Sequence, residues 1–125
     1  MNNRNISISD SEWKIMKVLW EYPNITLKEI AGRTKECGWG YSTVRTLVNR
    51  LADKGAINAD KGVPNNFKYY PVVGEEECKI KEVKSFLEKV FDGSASMLIS
   101  TLVKDSELSD EEQKKLRDII DKMDQ

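Results

Sequence analysis

The sequence predicts a mostly α-helical protein with one small β-hairpin, divided into two parts near residue 73. Helix-capping patterns precede apolar stripes of helical period in both parts. Strand-like residues occur only between residues 56 and 72, and none follow Gly74. The length of 125 residues suits one small domain with a helical extension rather than two full-sized domains.

The first two helices begin at matching sequence patterns. Ser9–Glu12 and Thr26–Glu29 are capping boxes, in which a hydroxyl and a carboxylate each satisfy a free backbone amide. The first helix is expected to end near Tyr22-Pro23-Asn24 and the second near Glu36. The inward face of the first helix is predicted to consist of Trp13, Met16 and Trp20.

A third helix is expected to begin between Gly40 and Ser42 and to end at Gly55. Its inward face has the helical spacing of Val44, Leu47, Val48 and Leu51. A hairpin follows, with strands at Ala56–Ala59 and Phe67–Val72 and a turn-rich tip between them. We then expect helices at residues 75–91 and 95–103, and a last helix opened by a capping box at Ser109–Glu112.

Three helices followed by a hairpin is the order of a winged helix-turn-helix domain. In that arrangement the third helix enters the major groove of DNA and the hairpin tip reaches the adjacent backbone. The outward face of the third helix here is polar and contains no acidic residue. The predicted DNA contacts are this face, a lysine at the hairpin tip and a lysine near the start of the second helix: Ser42, Thr43, Arg45, Thr46, Asn49, Arg50, Lys61 and Lys28.

The distribution of charge agrees with this interpretation. Residues 1–73 contain eleven Lys or Arg and seven Asp or Glu, a formal charge of +4, whereas residues 74–125 contain nine and fourteen, a charge of −5. Phosphates attract a basic part and repel an acidic part. We therefore predict a DNA-binding domain at 1–73 and a helical dimerisation region at 74–125.

The helices after Gly74 carry more apolar surface than a small domain with its own core can cover. Symmetric pairing of two chains would bury it; the alternative is that these helices fold back on their own domain. The predicted homodimer contacts are the apolar stripe residues Ile80, Val83, Leu87, Val90, Leu98, Leu102, Leu116, Ile119 and Ile120.

Several other classes are disfavoured. The chain has no histidine, and Cys37 and Cys78 lie far apart, so neither a metal site nor another cofactor is expected. The sequence contains no grouping of residue types typical of catalysis, so an enzyme is not expected. No apolar run reaches the length of a membrane span, which predicts a cytoplasmic protein without membrane insertion. The remaining alternative is a winged-helix module for protein–protein interaction without direct operator binding.

Specific motifs then point to a family. Ile8-x3-Glu12-Trp13-x2-Met16-x2-Leu19-Trp20, Ser42-Thr43-Val44-x-Thr46-Leu47-x2-Arg50-Leu51 and Tyr69-Tyr70-Pro71 resemble the BlaI/MecI penicillinase-repressor family. So do Gly38-Trp39, Lys54-Gly55, Phe86-Leu87 and Asp92-Gly93-Ser94. The resemblance implies a homodimeric transcriptional repressor on a palindromic operator, with β-lactam-resistance genes as the family's typical targets.

The resemblance also maps functional residues. Family DNA contacts fall on Thr43, Thr46 and Arg50, which match, and on Ser42 and Arg45, where this sequence differs from the best-known members. Induction in the family is by proteolysis linked to a membrane sensor, typically between Asn and Phe. The corresponding bond is Thr101–Leu102, where that residue pair is absent. The cysteine-rich C-terminal motif of copper-responsive relatives is absent after Met123.

Overall fold

The computed structural model describes residues 6–105 and 109–123, with the side chains of Asp105, Ile120 and Met123 outside that description. The chain forms two compact units, Met1–Glu75 and Glu76–Gln125. The division into a DNA-binding domain at 1–73 and a dimerisation region at 74–125 remains a prediction.

The first unit begins with helix α1 (Asp10–Glu21), which the Ser9 capping box starts as expected. Ser9 Oγ accepts the amide hydrogen of Glu12 at 3.2 Å, and the Glu12 carboxylate accepts that of Ser9 at 3.0 Å. The inward face differs from the prediction. Ile15, Met16 and Leu19 are fully buried, whereas Trp13 and Trp20 are half-buried and meet edge to face at 5.5 Å. The large indole rings lie at the margin of the core, where one edge remains in water.

Helix α2 (Leu27–Arg33) is capped by Thr26 and is shorter than predicted. The chain continues from Thr34 as a short 3-10 turn (Lys35–Cys37) that ends at Gly38 in the left-handed conformation. The buried Thr34 hydroxyl donates to the Ile30 carbonyl at 3.0 Å. This bond satisfies one of the carbonyls that a helix end leaves free, and the helix closes there rather than near Glu36.

Helix α3 (Tyr41–Lys54) has Gly40 as its N-cap and Gly55 as its left-handed C-cap. All four residues of the predicted inward stripe are buried. They pack with apolar residues of the other elements in one core cluster, whose members are Ile15, Met16, Leu19, Ile30, Val44, Leu47, Val48, Leu51, Ala56 and Ile57. The core therefore fixes which face of α3 points outward.

The sheet has three antiparallel strands, one more than the predicted hairpin. Strand β2 (Ile57–Asp60) and strand β3 (Lys68–Pro71) form the hairpin, and β1 (Ile25–Thr26) pairs with the other edge of β3. Ile25 lies opposite Tyr69, and Ala59 lies opposite Tyr69 from the other side. The hairpin is thereby hydrogen-bonded to the residues that directly precede α2.

A partly buried ion pair joins the start of α1 to the end of α3. Glu12 is only 2% exposed and pairs with Lys54, whose ammonium also donates to the Ser7 carbonyl at 2.7 Å. Burial raises the pKa of Glu12, but hydrogen bonds from Lys54 and Ser9 and the charge of Lys54 outweigh it and hold this pKa below its ordinary value of 4.5.

Replacing this buried carboxylate is expected to destabilise the fold in a pH-dependent way. Because its pKa is lowered on folding, Glu12 stabilises the folded state above pH 4.5, and that contribution is lost as the pH falls through the folded-state value. Glu12→Gln should lower the free energy of unfolding by about 1.5–3 kcal/mol at neutral pH, the range for a hydrogen bond to a charged group. Urea titrations at pH 7 and in acid would measure the difference in free energy of unfolding between the wild type and the variant, which should be smaller in acid. The exposed Glu36→Gln is the matched control; a loss for Glu12→Gln that does not shrink in acid would contradict the assignment.

The second unit contains three helices: α4 (Glu75–Phe91), α5 (Ala95–Asp105) and α6 (Asp110–Met123). Asp92 and Gly93 have φ values of 50° and 83°, which end α4 in the left-handed region. The Gly93 amide donates to the Leu87 carbonyl at 2.9 Å, and the Ser109–Glu112 capping box opens α6 as predicted. α5 extends two residues past the predicted end at Val103.

This unit leaves much apolar surface exposed. The large exposed side chains are Ile80, Phe86, Val90, Met97, Val103 and Ile119. Of the remaining predicted dimer residues, Leu87 is buried within the chain itself, and Val83, Leu98, Leu102 and Leu116 are half-buried. Ile120 has its side chain outside the described residues. Among the described helices, none has the length and apolar character that crossing a membrane requires.

Candidate nucleic-acid interface

The outward face of α3 is the first component of the candidate site. All six predicted contacts on this helix, Ser42, Thr43, Arg45, Thr46, Asn49 and Arg50, are exposed. They are exposed because the opposite face is held in the core by Val44, Leu47, Val48 and Leu51. The six side chains can therefore reach a partner without any rearrangement of the core.

Local contacts order this face. Thr46 Oγ1 donates its hydrogen to the Ser42 carbonyl at 3.0 Å, which directs the hydroxyl along the helix. The Arg45 guanidinium lies 5.5 Å from the centre of the Tyr41 ring, one turn earlier. The Gly40 cap provides no side-chain hydrogen bond to the first turn of α3. Amides at such a helix start can donate to a phosphate oxygen.

A groove runs between α3, the start of α2 and the hairpin. It is lined by Thr26, Leu27, Lys28, Tyr41, Arg45, Asn49, Asn65, Asn66, Phe67 and Tyr69. None of these residues is acidic, and Lys28 and Arg45 are cationic. The groove therefore offers cations, amides and hydroxyls to a phosphate strand, and no carboxylate that would repel it.

The structure brings together only part of the predicted set. Lys28, Arg45 and Asn49 share the groove, although they come from two helices. The other four predicted residues lie on the exposed face of α3 but do not line the groove: Ser42, Thr43, Thr46 and Arg50. Lys61 is exposed beyond β2, with its ammonium 5.5 Å from the centre of the Phe67 ring.

The predicted contacts did not include the other seven residues that line the groove: Thr26, Leu27, Tyr41, Asn65, Asn66, Phe67 and Tyr69. Tyr41 precedes Arg45 by four residues, and this spacing places both side chains on one side of a helix. The spacing is therefore a signal by which the Tyr41 ring could have been predicted to lie beside Arg45. The two asparagines were recognised only as turn residues. Their position beside α3 depends on how the strands pair, and local sequence patterns do not specify that pairing.

The two cysteines lie in different parts of the chain, Cys37 in the first unit and Cys78 in the second. Cys37 lines a groove with three cations, Lys14, Lys17 and Arg33, and two carboxylates, Glu21 and Glu36. Burial, followed by the charge of Glu77, raises the pKa of the Cys78 thiol. Within residues 6–105 and 109–123, no three His, Cys, Asp or Glu side chains are grouped as metal ligands. Both thiols are free and half-buried.

The helical core, the three-stranded sheet and the acid-free groove define a winged helix-turn-helix DNA-binding domain. Comparison with known proteins agrees with that class. The model of the family described as penicillinase repressor matches residues 8–122. The chain belongs to the penicillinase-repressor family, and is thus a DNA-binding transcriptional repressor rather than an enzyme.

Individual relatives support the assignment. The chain is 33% identical over 123 residues to the methicillin resistance regulatory protein MecI of Staphylococcus aureus strain N315, covering 98% of this chain and 99% of that protein. It is 30% identical to the penicillinase repressor of Bacillus licheniformis, over 91% and 89% of the two chains. The solution structure of the DNA-binding domain of the repressor BlaI superimposes with a TM-score of 0.53 at 33% identity, covering 62% of this chain and 93% of that domain.

Proposed function

We propose that this repressor binds a palindromic operator as a homodimer, with one α3 helix in each of two major-groove half-sites. The acid-free groove beside α3 is the observation that most directly supports this proposal. The six exposed α3 side chains would contact base edges and phosphates, and Lys28 and Lys61 would contact phosphates. We also propose a cytoplasmic location, the compartment in which a repressor of this family would meet its operator.

Two copies are proposed because one small domain offers few base contacts. Joining two half-sites raises affinity through effective concentration, and a two-fold protein suits a palindrome with half-sites one helical turn apart. The exposed apolar residues Ile80, Val90 and Ile119 of the second unit support pairing through that unit. Half-buried Val83, Leu98, Leu102 and Leu116 would extend the contact.

The regulated genes are proposed from the names of relatives, and the release step is proposed from the family resemblance of the sequence. The relatives are named for methicillin resistance and penicillinase, so we propose a β-lactam-resistance gene as the first target to examine. A sensor-linked protease would cut α5 between Thr101 and Leu102. Thr101 is exposed, but its hydroxyl donates to the Met97 carbonyl at 2.9 Å within a continuous helix. Cleavage there would therefore require α5 to open locally.

The proposal is tested by mobility shift of the full chain on duplexes from its own upstream region, at several salt concentrations. We expect saturable binding to one palindromic segment at submicromolar protein, falling steeply as salt rises because phosphate contacts release counterions. A scrambled duplex of equal composition is the control. Absence of a salt-sensitive shift at micromolar protein would favour the alternative, a winged-helix module that binds only other proteins.

A further inference from the structure

Three residues connect strand β3 to helix α4. The strand ends at Pro71 and the helix begins at Glu75, so the junction consists of Val72, Val73 and Gly74. In the proposed dimer, this short segment is the covalent link between each DNA-binding unit and the dimerisation helices. How firmly the junction is held therefore affects which arrangement of half-sites the dimer can bind.

Hydrogen bonds and packing hold the first two junction residues on the first unit. The Val72 amide donates to the carbonyl of Ala56, a fully buried residue, at 2.8 Å. The Val73 side chain is half-buried against the core cluster. The Val73 carbonyl accepts a hydrogen bond from the Trp20 indole Nε1 at 3.0 Å. The chain is thus attached to the first unit up to the residue before Gly74.

The Trp20 ring is itself held in place. Trp20 directly follows Leu19, which is fully buried, on a helix whose inner face lies in the core. The ring meets that of Trp13 edge to face at 5.5 Å. An indole N–H can only donate, and a carbonyl is a partner that satisfies it when the ring is partly buried. The hydrogen bond to Val73 therefore joins the first helix directly to the junction, across 53 residues of sequence.

The sheet does not depend on this hydrogen bond. Strand β3 is already paired on both of its edges, with β1 on one side and β2 on the other. The Trp20 hydrogen bond acts on a residue beyond the end of the strand. Its position suits control of the junction better than support of the hairpin.

We propose that Trp20 determines which half-site spacing the dimer accepts, by holding Val73 and so fixing the point from which the chain continues into α4. This role rests on the proposed binding of a palindromic operator by a homodimer, which Trp20 makes selective for one arrangement of half-sites. Each base pair added between two half-sites moves them apart by about 3.4 Å and rotates one relative to the other by about 35°. A held junction cannot follow that change, whereas a loosened junction lets both units reach their half-sites.

The test uses the palindrome that the full wild-type chain selects from a random duplex library. Fluorescence anisotropy compares this palindrome with versions carrying one or two base pairs inserted at the centre, and with a single half-site. The wild type should lose about tenfold or more in affinity when two base pairs are inserted, because the second half-site no longer contributes. Trp20→Phe retains an apolar ring but removes the donor. Its affinity for the single half-site should be unchanged, and its loss on insertion should shrink to about threefold or less.

Two further proteins complete the design. Trp13→Phe is the matched control, because it makes the same exchange at the adjacent ring and, among the described residues, the Trp13 indole makes no hydrogen bond to Val73. It should discriminate between spacings as the wild type does. Insertion of two glycines between Gly74 and Glu75 leaves the Trp20 hydrogen bond intact but releases α4 from it. This protein should tolerate the inserted base pairs as Trp20→Phe does.

Three results would overturn the role of Trp20 and leave operator binding intact. The first is a Trp20→Phe or glycine-insertion protein that keeps the full wild-type loss on insertion. The second is a wild type that binds all spacings equally. The third is a Trp20→Phe protein weakened by the same factor on the single half-site and on every palindrome, which would assign Trp20 to the stability of the DNA-binding unit. Failure of the wild type to select any palindrome would overturn the proposed operator binding as well.

Discussion

Arg45→Glu is expected to abolish operator binding at protein concentrations where the wild type is saturated. Arg45 lines the acid-free groove together with Lys28, so the substitution places a carboxylate where a phosphate strand is proposed to lie. Like charges in contact at an interface cost several kcal/mol. We expect a loss of about 3 kcal/mol or more, which corresponds to a more than hundredfold rise in Kd.

The measurement is fluorescence anisotropy on a labelled operator duplex across a salt series. The slope of log affinity against log salt should also decrease, because one phosphate contact is lost. Lys17→Glu is the matched control, since it makes the same change in net charge at an exposed α1 residue that lines a different groove. Equal losses for the two variants would assign the effect to overall charge and remove Arg45 from the interface.

Val90→Asp is expected to convert the proposed dimer into monomers. Val90 is 50% exposed in the single chain, so a carboxylate there remains hydrated and should not unfold the second unit. In a symmetric dimer that buries this face, two such carboxylates would lose water together. Each uncompensated buried charge costs on the order of 3 kcal/mol or more, which is enough to dissociate a micromolar dimer.

Sedimentation velocity at micromolar protein would measure the change, with circular dichroism to verify helix content. Ser85→Asp is the control because it adds the same charge to the same helix, on the side opposite the apolar stripe. We expect the control to remain dimeric. A dimeric Val90→Asp protein would exclude this face of α4 from the subunit contact.

Local patterns predicted most of the helical elements. The three capping boxes at Ser9, Thr26 and Ser109 each open a helix in the structure, because a capping box acts within four residues. The inward stripe of α3 was also correct, since helical period alone determines which side chains share a face. The weakest predictions were the end of α2, which closes at the hydrogen bond from Thr34 to the Ile30 carbonyl, and the inner face of α1, which tertiary packing decides.

The third strand shows the limit of such patterns. Two residues, Ile25 and Thr26, are too few to display an alternation, and they pair with β3 across more than forty residues of sequence. That pairing fixes the hairpin next to the start of α2. It also places Asn65, Asn66 and Phe67 in the groove with Lys28 and Arg45.

The sequence alone determined which segments form the α-helices and which face of α3 is polar. It also determined the division of charge between a basic part at 1–73 and an acidic part at 74–125. These properties depend on neighbours within one or two helical turns or on simple composition. The tertiary structure decided which of those polar residues share a groove, and that Glu12 lies buried against Lys54. Both arrangements join residues distant in the chain, and their positions depend on how the core packs rather than on any local period.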